Sequence, residues 1–134
     1  MAELTLDTGA LIALERHRRG MTKVIEAARQ AEASIIVPAN AVAEWWRGRT
    51  DRRDYVLQMF VVRPVDDEVA KLAGAALGWL KRHRVDVDDR VTIDATVMAT
   101  AALGAPNLYT GDFEDMQRFA GFFPTVRLFG LNPQ

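Results

Sequence analysis

The sequence predicts an α/β fold in which helices flank a central, mainly parallel sheet. Short apolar or β-branched runs recur along the chain, as in Leu4-Thr-Leu6, Ser34-Ile-Ile-Val37, Phe60-Val-Val-Arg63 and Thr125-Val-Arg-Leu-Phe129. Stretches with apolar residues at three- and four-residue spacing separate them. Strands always separated by helices return in parallel, because the helix supplies the crossover that a parallel pair requires. No repeat, low-complexity stretch or linker breaks the pattern, so one domain over residues 1–134 is expected.

The first strand, at about 3–6, leads into a helix from about 8 to 18 that Gly20 is expected to end. Met21, Val24, Ile25, Ala28 and Ala31 then line one face of a second helix. After the strand Ser34–Val37, Pro38 can open the next helix, since proline in the first turn forfeits no intrahelical bond. Gly48 is expected to close it. A charged helix near 51–59 precedes the strand Phe60–Arg63, which Pro64 stops. Asp66 can cap the clearest amphipathic helix, whose stripe is Val69, Leu72, Ala73, Ala76, Leu77 and Leu80. A small-residue helix at about 91–103 ends at Gly104. Leu108-Tyr109 is a short strand, Glu114 to Phe119 a short helix, and Thr125–Phe129 the last strand.

Hydrophobic residues make up 49% of the 134 and charged residues 26%, a globular balance that excludes a disordered chain. With no cysteine, a disulfide framework, a thiol nucleophile and a cysteine-bound zinc are excluded, and a reducing, cytoplasmic setting is expected. The start, Met1-Ala-Glu-Leu-Thr-Leu-Asp7, lacks the basic and apolar regions of a secretion signal. No apolar run approaches the roughly 20 residues that span a bilayer, so no membrane association is expected. A formal net charge of −1 exerts no global pull on nucleic acid, but its distribution is uneven. Arginines cluster at Arg16, Arg18 and Arg19 and at Arg47, Arg49, Arg52 and Arg53, with a further basic run at Lys81–Arg84. Such patches either hold a polyanion or are solvated helix ends.

Against them stand four separated acids: Asp7, Glu44, Asp94 and Asp112. Asp7 and Asp112 fall at carboxyl ends of predicted strands, where open α/β sheets bind ligands near a switch in strand order. Glu44 and Asp94 are expected in the first turns of helices packed around the same edge. Asp7, Asp94 and Asp112 could each instead be helix N-caps. Glu44, set among Ala41, Val42, Ala43, Trp45 and Trp46, could pair with Arg47. Taken together the acids imply more. Two carboxylates about 4 Å apart repel by roughly 1–4 kcal/mol, so a shared pocket calls for protons or a divalent cation. Carboxylate ligands suit Mg²⁺ or Mn²⁺.

Four segments, Leu4–Leu14, Val37–Glu44, Ile93–Ala101 and Leu108–Asp115, are similar to the four motifs of PIN-domain ribonucleases, in order and over nearly the whole chain. The resemblance is closest to the VapC toxins of bacterial toxin–antitoxin pairs. It implies a three-layer PIN-like domain and a Mg²⁺- or Mn²⁺-dependent endoribonuclease. Asp7, Glu44, Asp94 and Asp112 would be its metal-binding, catalytic acids, and Thr8 and Thr110 the hydroxyls that support them. Asp115 could replace or assist Asp112, and Asp89 competes for the place of Asp94. A homodimer and a cognate antitoxin that fills the active-site groove are further expectations from the resemblance.

The implied reaction is hydrolysis of an RNA phosphodiester by metal-activated water. Arg16, Arg18, Arg19, Arg47, Arg49, Arg52 and Arg53 are the candidates for gripping phosphates. His17 and His83 lie at basic helix ends and are not expected to catalyse. Trp45 and Trp46 stand about 100° apart on a helix, so one of them is expected outside the core. Gly74-Ala-Ala-Leu-Gly78 permits close helix–helix approach. Three other readings compete: a non-catalytic PIN-like module binding RNA or protein, an RNA-processing nuclease outside toxin–antitoxin biology, and a phosphatase with Asp7 as nucleophile. The last is weakest, because Gly9 stands where such enzymes carry a second acid.

Overall fold

A computed structural model describes residues 3–83, 85, 88 and 90–131. Arg84 and Asp89, both noted above, lie outside the described residues. In chain order the elements are β1 (Leu4–Leu6), α1 (Thr8–Glu15), α2 (Arg19–Gln30), β2 (Ile35–Pro38), α3 (Ala39–Trp45) and α4 (Asp51–Leu57). Then follow β3 (Val61–Arg63), α5 (Asp67–Arg82), α6 (Val91–Leu103), β4 (Asn107–Thr110), α7 (Phe113–Gln117) and β5 (Arg127–Gly130). The strands form one parallel sheet ordered β3-β2-β1-β4-β5. The chain builds outward from β1 through β2 to β3, then returns to the other side of β1 for β4. The switch in strand order therefore lies between β1 and β4, in register Leu4 with Asn107 and Leu6 with Tyr109.

Helices cover both faces of the sheet. One apolar cluster joins β1 and β2 to α1–α4, with Leu4, Leu6, Leu11, Ile25, Val37 and Trp45 buried. The other joins α5–α7 to β4, through Val69, Ala76, Leu80, Met98, Leu108 and Phe119. Residues Asp94–Ala101 of α6 are all buried, which small Ala and Thr side chains permit on every face of a central helix. The buried hydroxyls are satisfied locally: Thr96 donates to the Ile93 carbonyl at 2.6 Å and Thr100 to that of Thr96 at 2.7 Å. No helix among the described residues is long and apolar enough to cross a membrane.

Several expected boundaries hold. Asp66 caps α5, accepting from Val69 N–H at 2.9 Å, and the predicted stripe of α5 faces the core. Two differ. Helix α1 stops at Glu15, and Gly20 lies in the first turn of α2 rather than ending α1. The stop is His17 at φ 54°, with Arg18 N–H bonded to the Ala13 carbonyl and His17 N–H to that of Leu14. That is a Schellman closure with histidine in the left-handed position that glycine usually fills. Helix α3 has only seven residues, so Glu44 stands in its last turn, not its first.

Candidate active site

Asp7 follows β1 and caps α1, accepting from Ala10 N–H at 3.0 Å. A second backbone donor reaches it from across the strand switch: Gly111 N–H lies 3.2 Å from both Asp7 oxygens. This requires two turns to touch. A Cβ on Gly9 would stand 2.6 Å from Gly111 Cα, and one on Gly111 would stand 2.9 Å from Gly9 Cα. Neither turn uses a left-handed glycine; the missing side chains serve close approach. The Thr110 hydroxyl also donates to Asp7, and its oxygen accepts from Asp112 N–H at 2.8 Å.

Asp94 reaches the same place from the first turn of α6. It is not the N-cap of that helix, a position held by Arg90. Its carboxylate is buried, and Oδ2 accepts no hydrogen bond from any described residue. Arg118 lies close, its Nη2 3.7 Å from Asp94 Oδ2 and 3.8 Å from Asp115 Oδ1. Asp112 occupies the N-cap position of α7 without making a capping bond, and is exposed.

The electrostatics tie these acids together. Burial pushes the Asp7 carboxyl up to about 6, against its hydrogen bonds from Thr110, Ala10 and Gly111, with the charge of Asp112 adding to the rise. Burial pushes Asp94 up to about 7; Asp112, Asp115 and Asp7 add repulsion, which Arg118 partly offsets. Asp7, Asp94, Asp112 and Asp115 thus share one field around the β1–β4 switch.

Glu44 joins the site through α1. Its Oε1 accepts from the Thr8 hydroxyl at 2.8 Å, next in sequence to Asp7. Arg47 does not pair with its carboxylate; Arg47 Nε donates to the Glu44 backbone carbonyl at 3.1 Å. Asn40, one turn earlier on α3, donates to Thr96 at 3.0 Å and so joins α3 to α6 across the site.

Among the described residues, no three acidic or histidine side chains form a closed ligand set. The donors nevertheless fit a hard divalent cation. They are carboxylate oxygens, one of them buried without a hydrogen bond from any described residue, and the charges of Asp112, Asp115 and Asp7 add to the rise that burial imposes on Asp94. Mg²⁺ retains several waters and takes few protein ligands directly, so an open arrangement suits it.

The arginines divide into two groups. Arg52 donates to the Leu14 carbonyl at 2.9 Å, and Arg53 pairs with Glu15 at 2.9 Å and donates to the Gly48 carbonyl at 2.8 Å. Both fasten α4 to the end of α1. Glu15 also accepts from the buried Trp45 indole at 3.1 Å, while Trp46 is half-buried. Arg49 pairs with Asp54. Arg16 and Arg19 are exposed, and Arg16 and Arg18 line a pocket that also includes Gly9 and Gly111.

Residue-level reading of the sequence did not single out Gly111, Asn40 or Arg118, and took Gly9 only as the lack of a second acid. The glycines sit beside Asp7 and Asp112 in sequence, which was the one available signal. Nothing local marks Arg118.

No protein-family model matches the sequence, and no curated protein matches it. Solved structures do. A chain of VapBC2 from Rickettsia felis, bound to a DNA fragment from their promoter, superposes with a TM-score of 0.75 at 14% identity, over 96% of this chain and 98% of that one. A chain of DNA-bound VapBC from Salmonella typhimurium gives 0.71 at 14% identity, over 97% and 98%. One of FitAcB from Neisseria gonorrhoeae gives 0.67 at 18% identity, over 94% and 96%. With a five-stranded parallel sheet between helical layers and near-complete coverage of each relative, the chain has the PIN-like fold of these VapBC and FitAB structures.

Proposed function

We propose that this protein is a divalent-metal-dependent endoribonuclease of the VapC type, the toxin of a toxin–antitoxin pair. The observation that carries the reading is the presence of two buried carboxylates, Asp7 and Asp94, at the strand switch, one with an oxygen to which no described residue donates a hydrogen bond. Burying such charge with only partial compensation is costly, so a fold that keeps it has a use for it. Full-length likeness to VapBC and FitAB chains supports the toxin assignment.

Asp7, Glu44, Asp94 and Asp112 would hold Mg²⁺ or Mn²⁺, with Asp115 as a further candidate. A bound cation would supply activation of a water and charge stabilisation at the phosphate. The chain's own residues set the geometry. Ala10 N–H, Gly111 N–H and Thr110 fix the Asp7 carboxylate in one orientation, and Thr8 fixes Glu44. Arg118 offsets part of the negative charge at Asp94 and Asp115. Arg16, Arg18 and Arg19, with Arg47 and Arg49, would contact substrate phosphates, whereas Arg52 and Arg53 are engaged in holding α4. The partners we assign are an RNA substrate, a cognate antitoxin over the active-site groove, and a second copy of the chain.

The test is hydrolysis of structured RNAs by purified protein. Cleavage with Mg²⁺ or Mn²⁺, none with chelator, and background rates for a folded Asp94→Asn support the reading. RNA binding with no hydrolysis under any metal would favour the non-catalytic module.

A further inference from the structure

A pocket of about 580 Å³ lies between α1, α2 and the carboxyl ends of β4 and β5. That volume falls within the roughly 300–1,000 Å³ of small-ligand sites. Gly9 and Gly111, the two glycines that clasp Asp7, are among its lining residues, so it adjoins the acidic centre. Its walls are apolar, made by Ile12, Ala13 and Val24, and Tyr109 adds aromatic surface. Tyr109 is braced from behind, stacked on Phe129 with centroids 4.8 Å apart. Arg16 and Arg18 supply positive charge at the same pocket.

We infer that this pocket is a nucleobase subsite: it takes one unpaired base of the RNA next to the scissile phosphate, while Arg16 contacts the adjoining phosphate. The inference rests on the RNA substrate proposed above and adds how that substrate is selected. Every base has an apolar, polarisable face suited to such walls, and aromatic stacking on a protein side chain is sequence-tolerant. The polyanionic backbone matches the arginines. A base held here would be extruded from its neighbours, so single-stranded or looped RNA is the form accepted.

The test uses full-length protein in chelator, so that binding is read without hydrolysis. Single-stranded RNA oligomers of one length, each with an abasic ribose at a different position, are titrated by fluorescence anisotropy. One position is expected to cost about tenfold in affinity, the effect of losing one stacked base. Ala13→Phe, which fills the pocket, is expected to bind intact and abasic oligomers alike. Val24→Glu, on the facing helix, serves as a second variant should the first unfold. An absence of any discriminating position overturns the inference, as it would if a protein segment is the true occupant. Discrimination that persists in both folded variants overturns it equally. Base-dependent binding without hydrolysis in Mg²⁺ or Mn²⁺ would instead sink the nuclease reading and leave the subsite standing.

Discussion

Asp7 and Asp94 are both buried, and burial, with repulsion from neighbouring carboxylates, resists their ionisation. The consequence for stability has a definite sign. Their ordinary value is 3.8, and in the folded protein they titrate near 6 and 7. Below about pH 4 folded and unfolded chains both hold the protons. Between about 4 and 7 the folded chain keeps protons that the unfolded chain releases, so metal-free stability falls as pH rises. We expect the melting temperature in chelator to drop between pH 5 and 8, and Asp94→Asn to remove much of that drop. At pH 8 the same variant should be more stable than the parent by about 1–3 kcal/mol while losing activity. An unchanged pH slope in Asp94→Asn would contradict the assignment. Gly111 offers a second residue-scale test. Gly111→Ala pushes a Cβ to 2.9 Å from Gly9 Cα, so the two turns must part and Asp7 loses a donor. A loss of about 1–3 kcal/mol in thermal unfolding is expected, with RNA cleavage impaired beyond what unfolding explains.

Helix α4 is attached by side chains rather than by a long apolar face, since Val56 is its one fully buried residue. Arg53, paired with Glu15 and bonded to Gly48, and Arg52, bonded to Leu14, do most of this. Arg53→Ala should therefore cost about 1 kcal/mol in a denaturant titration, more than an exposed pair would. Arg16→Ala should leave stability within about 0.5 kcal/mol and weaken RNA binding instead. Equal stability losses for the two would erase the division drawn between them. Helix α5 gives the opposite case, because the Gly74 position has open space around it. Gly74→Ala should stabilise the protein by about 0.5–1 kcal/mol, the usual cost of a glycine inside a helix. Should Gly74→Ala instead disrupt a dimer, measured by light scattering, that face of α5 is the contact between copies.

Across the whole molecule, strand and helix order was legible because periodicity and caps are local properties. Asp66 at the start of α5, Gly104 after α6 and Pro64 after β3 all act where the sequence puts them. The positions of Asp7 and Asp112 followed from the sheet: both lie past strand ends that the order β2-β1-β4 brings side by side. Other features depend on contacts that no window of sequence contains. Gly111 meets Asp7 across 104 positions, and Arg118 is drawn to Asp94 by tertiary packing. Arg52 and Arg53 read as surface charge until α1 ends early and presents Leu14 and Glu15 to them. His17 ended that helix where a glycine was expected, because its left-handed backbone is not written in residue type. Phosphatase chemistry at Asp7 meets a physical obstacle too, as the Gly9–Gly111 contact leaves no room for a second acid at position 9.

The central claim is that the carboxylates at the β1–β4 switch hold a divalent cation. Mn²⁺ titration followed by electron paramagnetic resonance, on the parent protein and folded Asp94→Asn in parallel, tests it most directly. The parent should remove Mn²⁺ from solution at a saturable site, weakened at least about tenfold in the variant. Identical Mn²⁺ binding by the two proteins would contradict the account.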